Sequence, residues 1–213
     1  MRCLAKFIII ATILSLAGPG FCLADEPAKL LISEVQIFGE NGEDHNDYVK
    51  IYNPNIEPVD LGKYSLVKRA TTNTDKDSYL IGSWETNTII APLGYHIWAS
   101  NKEGYADNIS ANSNTVATIT TDDGIAIRFG AKDVGTIIDS VGWGDYNGIF
   151  IESEGSTDIQ LLPNPIKGQK LIRTDNQDTD NNFADFKIFP ETPPADQTND
   201  NDPAPIVAVS TGG

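Results

Sequence analysis

Short runs in which apolar and polar residues alternate recur along most of the chain. In LLISEVQIF (30–38), Ile32, Val35 and Ile37 fall on one side, with a change of phase near Ser33. In DYVKIYN (47–53), Val49 and Ile51 share one face, while Tyr48, Lys50 and Tyr52 share the other. KYSLVKR (63–69), NTIIA (87–91), YHIWAS (95–100), NTVATIT (114–120), GIAIRFG (124–130), GTIIDSVGW (135–143), KLIR (170–173) and FADFKIF (183–189) follow. β-branched and aromatic residues fill these runs, and turn formers separate them. No stretch of 11 or more residues carries an apolar repeat at helical spacing. Many short strands with no helices between them predict an all-β antiparallel sandwich or barrel.

The breaks agree with this reading. YNPN (52–55) ends a strand at a proline, which has no N–H for a central ladder. APLGY (91–95) is a turn leading into the strand at 95–100, and TTDDG (120–124) and GAKDVG (130–135) bracket another strand as connections. Residues 145–169, rich in glycine, proline and acids, exceed the usual connection length and read as a long surface excursion. From Pro190 onward there are five prolines and no aromatic residue. Residues 191–213 are therefore expected to form a disordered tail or linker.

The first 24 residues follow a different pattern. Arg2 and Lys6 precede an apolar run of 11 residues (7–17), then Gly18, Pro19 and Gly20, then CLA (22–24). This is the layout of a secretory signal peptide, and the run falls short of the roughly 20 residues that span a bilayer. Cleavage after Ala24 is expected, with no transmembrane anchor left behind and a secreted or cell-envelope location. A lipoprotein reading through Cys22 is weaker, because bulky Phe21 stands where a small residue is needed. Both cysteines, Cys3 and Cys22, leave with the segment. The mature chain then has no disulfide, catalytic thiol or thiolate metal site.

Charge narrows the range of partners. The chain carries 15 basic and 30 acidic residues, net −15, and losing Arg2 and Lys6 takes the mature value to −17. Such a field repels phosphate backbones, so nucleic acid is a disfavoured partner. The one candidate basic patch, Lys63, Lys68 and Arg69, reads better as a solvated strand end. Catalytic candidates are equally thin. No Gly-x-Ser-x-Gly elbow or phosphate-binding glycine loop is present. His96, in a strand beside Trp98, is expected to be half-buried and hydrogen-bonded. His45 in EDHND (43–47) could ligate a metal, but a solvated acidic turn accounts for it as well.

One stretch raises a sharper question. DNQDTDNNFADF (175–186) spaces Asp178, Asp180 and Asn182 at alternate positions, as in the first half of a calcium loop. Phe183 stands where that loop needs glycine, and an apolar residue where it needs a bidentate glutamate. The EF-hand reading therefore fails, and a weak calcium site at Asp178, Asp180 and Asn182 is the metal reading that survives. The preferred reading is a run of Asx turns that aims the chain into its last strand.

Four segments in order resemble the lamin-tail domain in its bacterial, exported form. They are LISEVQIFGENGEDHNDYVKIYNPNIEPVDLGKYSLVKR (31–69), IIAPLGYHIWAS (89–100), IIDSVGWGDYNG (137–148) and RTDNQDTDNNFADF (173–186). The resemblance covers residues 29–190. It implies an immunoglobulin-like β-sandwich, with Trp143 in the core between Gly142 and Gly144 at tight turns. It also implies that Phe183 and Phe186 pack inward behind the DTDNN turn. It brings no catalytic residues and no cofactor. In nuclear lamins the fold serves protein and nucleic-acid contacts, and bacterial copies resemble adhesion or targeting modules, some joined to hydrolases. The expected function is therefore a secreted, noncatalytic module that binds a protein or cell-envelope component. The alternative is an accessory or remnant of a metal-dependent hydrolase or nuclease system using the aspartate cluster.

Overall fold

The computed structural model describes residues 26–39, 45–71, 75–85, 87–146, 148–154 and 159–190. The expected signal peptide (1–24) and tail (191–213) lie outside them. Twelve strands follow one another: β1 (Leu31–Gln36), β2 (Tyr48–Tyr52), β3 (Val59–Asp60), β4 (Tyr64–Ala70), β5 (Ser78–Ile81), β6 (Ile89–Ile90), β7 (Tyr95–Ser100), β8 (Ser113–Thr115), β9 (Asp123–Phe129), β10 (Thr136–Gly142), β11 (Lys170–Arg173) and β12 (Phe186–Phe189). Two single-turn helices, α1 (Tyr105–Asn108) and α2 (Asn182–Asp185), interrupt them. A six-stranded sheet in the order β12-β11-β1-β2-β7-β8 faces a four-stranded sheet in the order β10-β9-β4-β5, and β3 pairs β6 alongside. This is the immunoglobulin-like β-sandwich expected. The main-sheet pairs are antiparallel except β7 with β8, which run parallel because the segment carrying α1 brings the chain back alongside Trp98–Ser100.

Alternation decides which side chains meet between the sheets. Ile32, Val35, Ile37, Val49, Ile51 and Trp98 from the large sheet meet Leu66, Ile125, Ile127 and Val141 from the small one, all fully or almost fully buried. The phase change near Ser33 is a break in the β1–β2 register between Ile32 and Glu34. One extra residue there lets both Ile32 and Val35 point inward, as a β-bulge does. Asn53 fixes the turn after β2. Its buried amide donates to the carbonyls of Glu57, Ile90 and Ala91 at 2.9, 3.1 and 3.1 Å, tying the proline turn to β6.

Residues 145–169 are a surface excursion only in part: among the described residues, 159–161, 163, 166 and 167 are exposed, but the aromatic residues are not. Tyr146 and Phe150 are fully buried against Val67 and Ala126, on the outer side of the small sheet. Leu162 bridges Trp143, and the Gly144 amide donates to the Leu162 carbonyl at 2.8 Å. Glycine and proline content suggested solvent, but Tyr146 and Phe150 pack over the middle of a sheet face. Gly142 does not serve the tight turn expected of it. A Cβ there would lie 2.6 Å from the Tyr146 ring, as it would at Gly124, so both glycines make room for that ring. Gly144, with φ +67°, does occupy the left-handed region that favours glycine.

Three other expectations need correction. The run 114–120 was expected to be a strand, yet only Ser113–Thr115 pairs. Carboxylates replace the ladder further on: Asp47 accepts from the Ile119 amide at 2.8 Å and Asp123 from the Thr120 amide at 2.9 Å. The run 183–189 is a helical turn followed by β12. Asn181 caps that turn by accepting from the Ala184 amide at 3.2 Å. The turn rotates Phe183 outward, 47% exposed, while Phe186 is buried as expected. Finally, β5 went unpredicted, because only Leu80 of its four residues is buried and the alternation signal is absent.

Asp47 and Asp123 point inward from opposite sheets, and each leaves one oxygen buried without a hydrogen-bond partner. Burial pushes Asp47 up to about 7 despite its bond from Ile119, and Glu152 likewise rises to about 7 through burial. Between the ordinary carboxyl range and pH 7, the folded state thus holds protons that the unfolded chain has released. This stabilisation is complete below about pH 4 and is lost as pH rises through 7. Burial lowers His96 to about 4, which acts oppositely: its contribution is present above pH 6.5 and lost as pH falls towards 4. Burial raises Asp123 and Asp139 as well, so the carboxyls outweigh His96 and stability should be greater at pH 5.5 than at pH 8 by about 2 kcal/mol or more. Asp47→Asn should flatten that difference in thermal melts, and an equal slope in this variant would contradict the assignment.

Candidate functional site

The residues singled out for calcium engage separate partners. Asp178 is ion-paired to Lys29 at 2.8 Å and to Arg173 at 3.3 Å. Against the desolvation of its partial burial, these two cations hold its carboxyl below the ordinary range. Asp180 is exposed at φ +54°, and its amide donates weakly to Asp178 at 3.4 Å, the Asx turn expected. Asn182 is buried and turned inward by α2. It accepts from the Gly142 and Glu152 amides and donates to the Ser140 carbonyl at 2.9 Å and to Glu152 at 3.0 Å. Asn182 and Glu152 thereby cap the free edge of β10, a position that would otherwise invite strand pairing.

What gathers the acids is Arg173, which sequence reasoning missed. Its side chain is fully buried, and it reaches Asp139 at 2.6 Å, Asp185 at 3.2 Å and Asp178 at 3.3 Å. Its Nε donates to the Ile32 carbonyl at 2.9 Å, and the guanidinium lies 4.4 Å from the Phe186 ring. The signal was available: Arg173 is in phase with inward Leu171, and a charge at an inward position must be paired. Carboxylate oxygens of Asp139, Glu152 and Asp178 lie within 4.8 Å of one another. A cation there would have to displace existing donors. Both Asp139 oxygens accept, from Ile32 and Arg173; both Glu152 oxygens accept, from Ser140 and Asn182; both Asp178 oxygens face Arg173 or Lys29. Burial nevertheless raises Asp139 well above the usual carboxyl range, against the pull of Arg173.

The hub therefore reads as structural, and calcium offers a direct check. Asp178→Ala should cost about 1–2 kcal/mol through its lost ion pairs, whereas exposed Asp180→Ala should change little. Millimolar calcium against chelator should leave the melting temperature unchanged. A rise would be the result to act on, since a ligand at 100 times its dissociation constant contributes about 2.7 kcal/mol.

The remaining candidates also find places. His96 is buried, with Nε2 2.9 Å from the Ser113 hydroxyl and its ring 4.9 Å from that of Trp84. His45 borders the start of β2, and Glu43 and Asp44 beside it lie outside the described residues. The basic candidates do not form a patch. Arg69 and Arg128 clamp buried Asp77 at 2.6 Å each beneath the Phe150 ring, and Lys68 pairs Asp123 at 3.3 Å. Of the three candidates, Lys68 and Arg69 are thus engaged by acids within the fold, while Lys63 is exposed beside the start of β4, as a solvated strand end.

The two outer faces differ. Tyr146 and Phe150 pack over β4 and β9 of the small sheet, but the outward side chains of the large sheet form an open plane set by cross-strand pairing. One row runs Lys187, Ile172, Glu34, Lys50, Ile97; the next runs Phe189, Lys170, Gln36, Tyr48 and ends at buried Ala99; Tyr52 stands opposite Tyr95. Tyr105 joins the plane by accepting from Gln36 at 2.9 Å. Four of the seven tyrosines thus share this face. Tyr52 and Tyr95 rings lie 4.9 Å apart, and Lys50 Nζ sits 4.5 Å from the Tyr95 centroid. Glu34 is the single acid in these rows, held by Lys170 at 2.6 Å, by Lys50 at 3.8 Å and by the Tyr48 hydroxyl. Three lysines against one acid invert the sign of the chain as a whole.

The sequence profile described as Lamin Tail Domain matches residues 24–145. Among curated proteins, none matches the chain. A crystal structure of a DUF4876 family protein from Bacteroides thetaiotaomicron VPI-5482 is similar at a TM-score of 0.46 and 12% identity, over 75% of this chain and 70% of that one.

Proposed function

Because the chain belongs to the lamin tail domain family, we propose that it works as an exported, noncatalytic binding module of the cell envelope. Its contact surface is the outer face of the six-stranded sheet. The observation that carries this reading is the contrast between the two faces: Tyr146 and Phe150 pack over β4 and β9 of one, leaving Tyr79 at its β5 edge, whereas the other carries clustered tyrosines and lysines. Tyrosine supplies rigid, amphipathic contact area at little entropic cost, which suits recognition without a pocket. The Arg173 hub supports a structural role for the acids, since its oxygens are already engaged. The leader-like N-terminus supports export.

Two measurements test the proposal. Intact mass of the exported protein should begin at Asp25. The purified mature chain should sediment with isolated cell envelopes, and Tyr95→Ala with Lys187→Glu should abolish this. Envelope binding that survives both substitutions would move the contact surface elsewhere.

A further inference from the structure

Building on the reading of this face as the contact surface, we propose that its ligand is an anionic polysaccharide. Sugar rings would lie on Tyr52, Tyr95 and Phe189, and their carboxylates would meet Lys50, Lys170 and Lys187. The argument starts from charge. In a chain of net −15, the strand rows of this face hold three lysines and one acid, Glu34, which Lys50 and Lys170 flank, leaving a local excess of two positive charges. Lys187 and Lys50 lie in the same row three strands apart, about 14 Å at the usual strand spacing. Widely set cations suit a polymer with widely set carboxylates. They do not suit duplex DNA, which presents a charge every ~1.7 Å and needs many phosphates neutralised at once.

Shape makes the second distinction. A folded partner concentrates its affinity in a few hot spots seated in well-packed, desolvated pockets. This face is a plane of cross-strand pairs, and the cavities around Tyr64 and Phe129, around Thr120 and Asp145, and around Trp84 and Asn114 are lined by other residues. Tyr95 and Phe189 are 46% and 56% exposed, with apolar ring surface available to the C–H faces of a sugar. A polar neighbour, the Tyr95 hydroxyl held by Asn176 at 3.0 Å, can meet sugar hydroxyls. Each contact is weak, and repetition along a polymer supplies the avidity.

The experiment is native affinity electrophoresis of the mature chain through gels containing polygalacturonate, neutral dextran, polyglutamate or a short DNA duplex. Retardation is expected with polygalacturonate only, and it should weaken with added salt. Lys187→Glu or Tyr95→Ala should weaken it roughly tenfold, as reversing or removing a contact group at a charged interface does. Lys132→Glu, on the hairpin of the opposite sheet, should leave it unchanged, with all three variants melting like the parent. Equal or stronger retardation by polyglutamate would overturn the proposal in favour of an acidic protein, and by DNA in favour of nucleic acid. No retardation in any gel, while envelope sedimentation still depends on Tyr95 and Lys187, would overturn the polysaccharide alone. Loss of that dependence would remove the face as well.

Discussion

Trp143→Ala is expected to destabilise the protein by about 3–5 kcal/mol, a large share of what a domain of this size has. The indole is fully buried in the core between the sheets, and its Nε1 donates to the Thr120 carbonyl at 3.2 Å. Its backbone pins the covering segment, since Trp143 bridges Leu162 and its amide donates to the Asp123 carbonyl at 3.2 Å. A cavity at this position would therefore loosen residues 145–169 as well as the core. Trp143→Phe keeps most of the volume and loses the Thr120 bond, so about 1–2 kcal/mol is expected there. Denaturant unfolding of both variants separates the contributions. A loss below about 1 kcal/mol for the alanine would mean that Trp143 does not organise this end of the sandwich.

Arg173→Leu should cost a similar amount, about 3–5 kcal/mol, through a different mechanism. The leucine fills part of the space but leaves Asp139, Asp178 and Asp185 without their shared cation. Burial already raises Asp139, so losing the counter-charge moves it further up, and Asp178 loses one of the two cations that hold it down. The deficit should therefore be smaller at pH 5 than at pH 8, because protonation relieves the repulsion. Arg173→Lys should recover less than half of the loss. One ammonium cannot reproduce the fork that reaches Ile32, Gln177 and three carboxylates together. Equal losses at both pH values would mean that the hub acts through packing on Phe186 and not through charge.

The sequence by itself determined the sandwich. Period-two alternation placed Val49 and Ile51 inward and Tyr48, Lys50 and Tyr52 outward, and the phase change near Ser33 marked the bulge in β1. The four family segments pointed to Trp143 in the core, and Asn and Asp at fixed offsets marked the turn before β12. These features are local: a strand's pleat and an Asx turn are set within a few residues, so they are legible one segment at a time. Tertiary structure decided the rest, because each remaining feature depends on partners far along the chain. Arg173 gathers acids from β10, the 178–180 turn and α2, and alternation in KLIR could mark it as inward without naming them. Within the excursion at 145–169, nothing local marked Tyr146 and Phe150 as the residues that pack on Val67 and Ala126 of the small sheet. The open face arises in the same way. Lys187, Lys170, Lys50, Tyr52 and Tyr95 come from four strands that only sheet order sets side by side, and no spacing along the chain encodes that order.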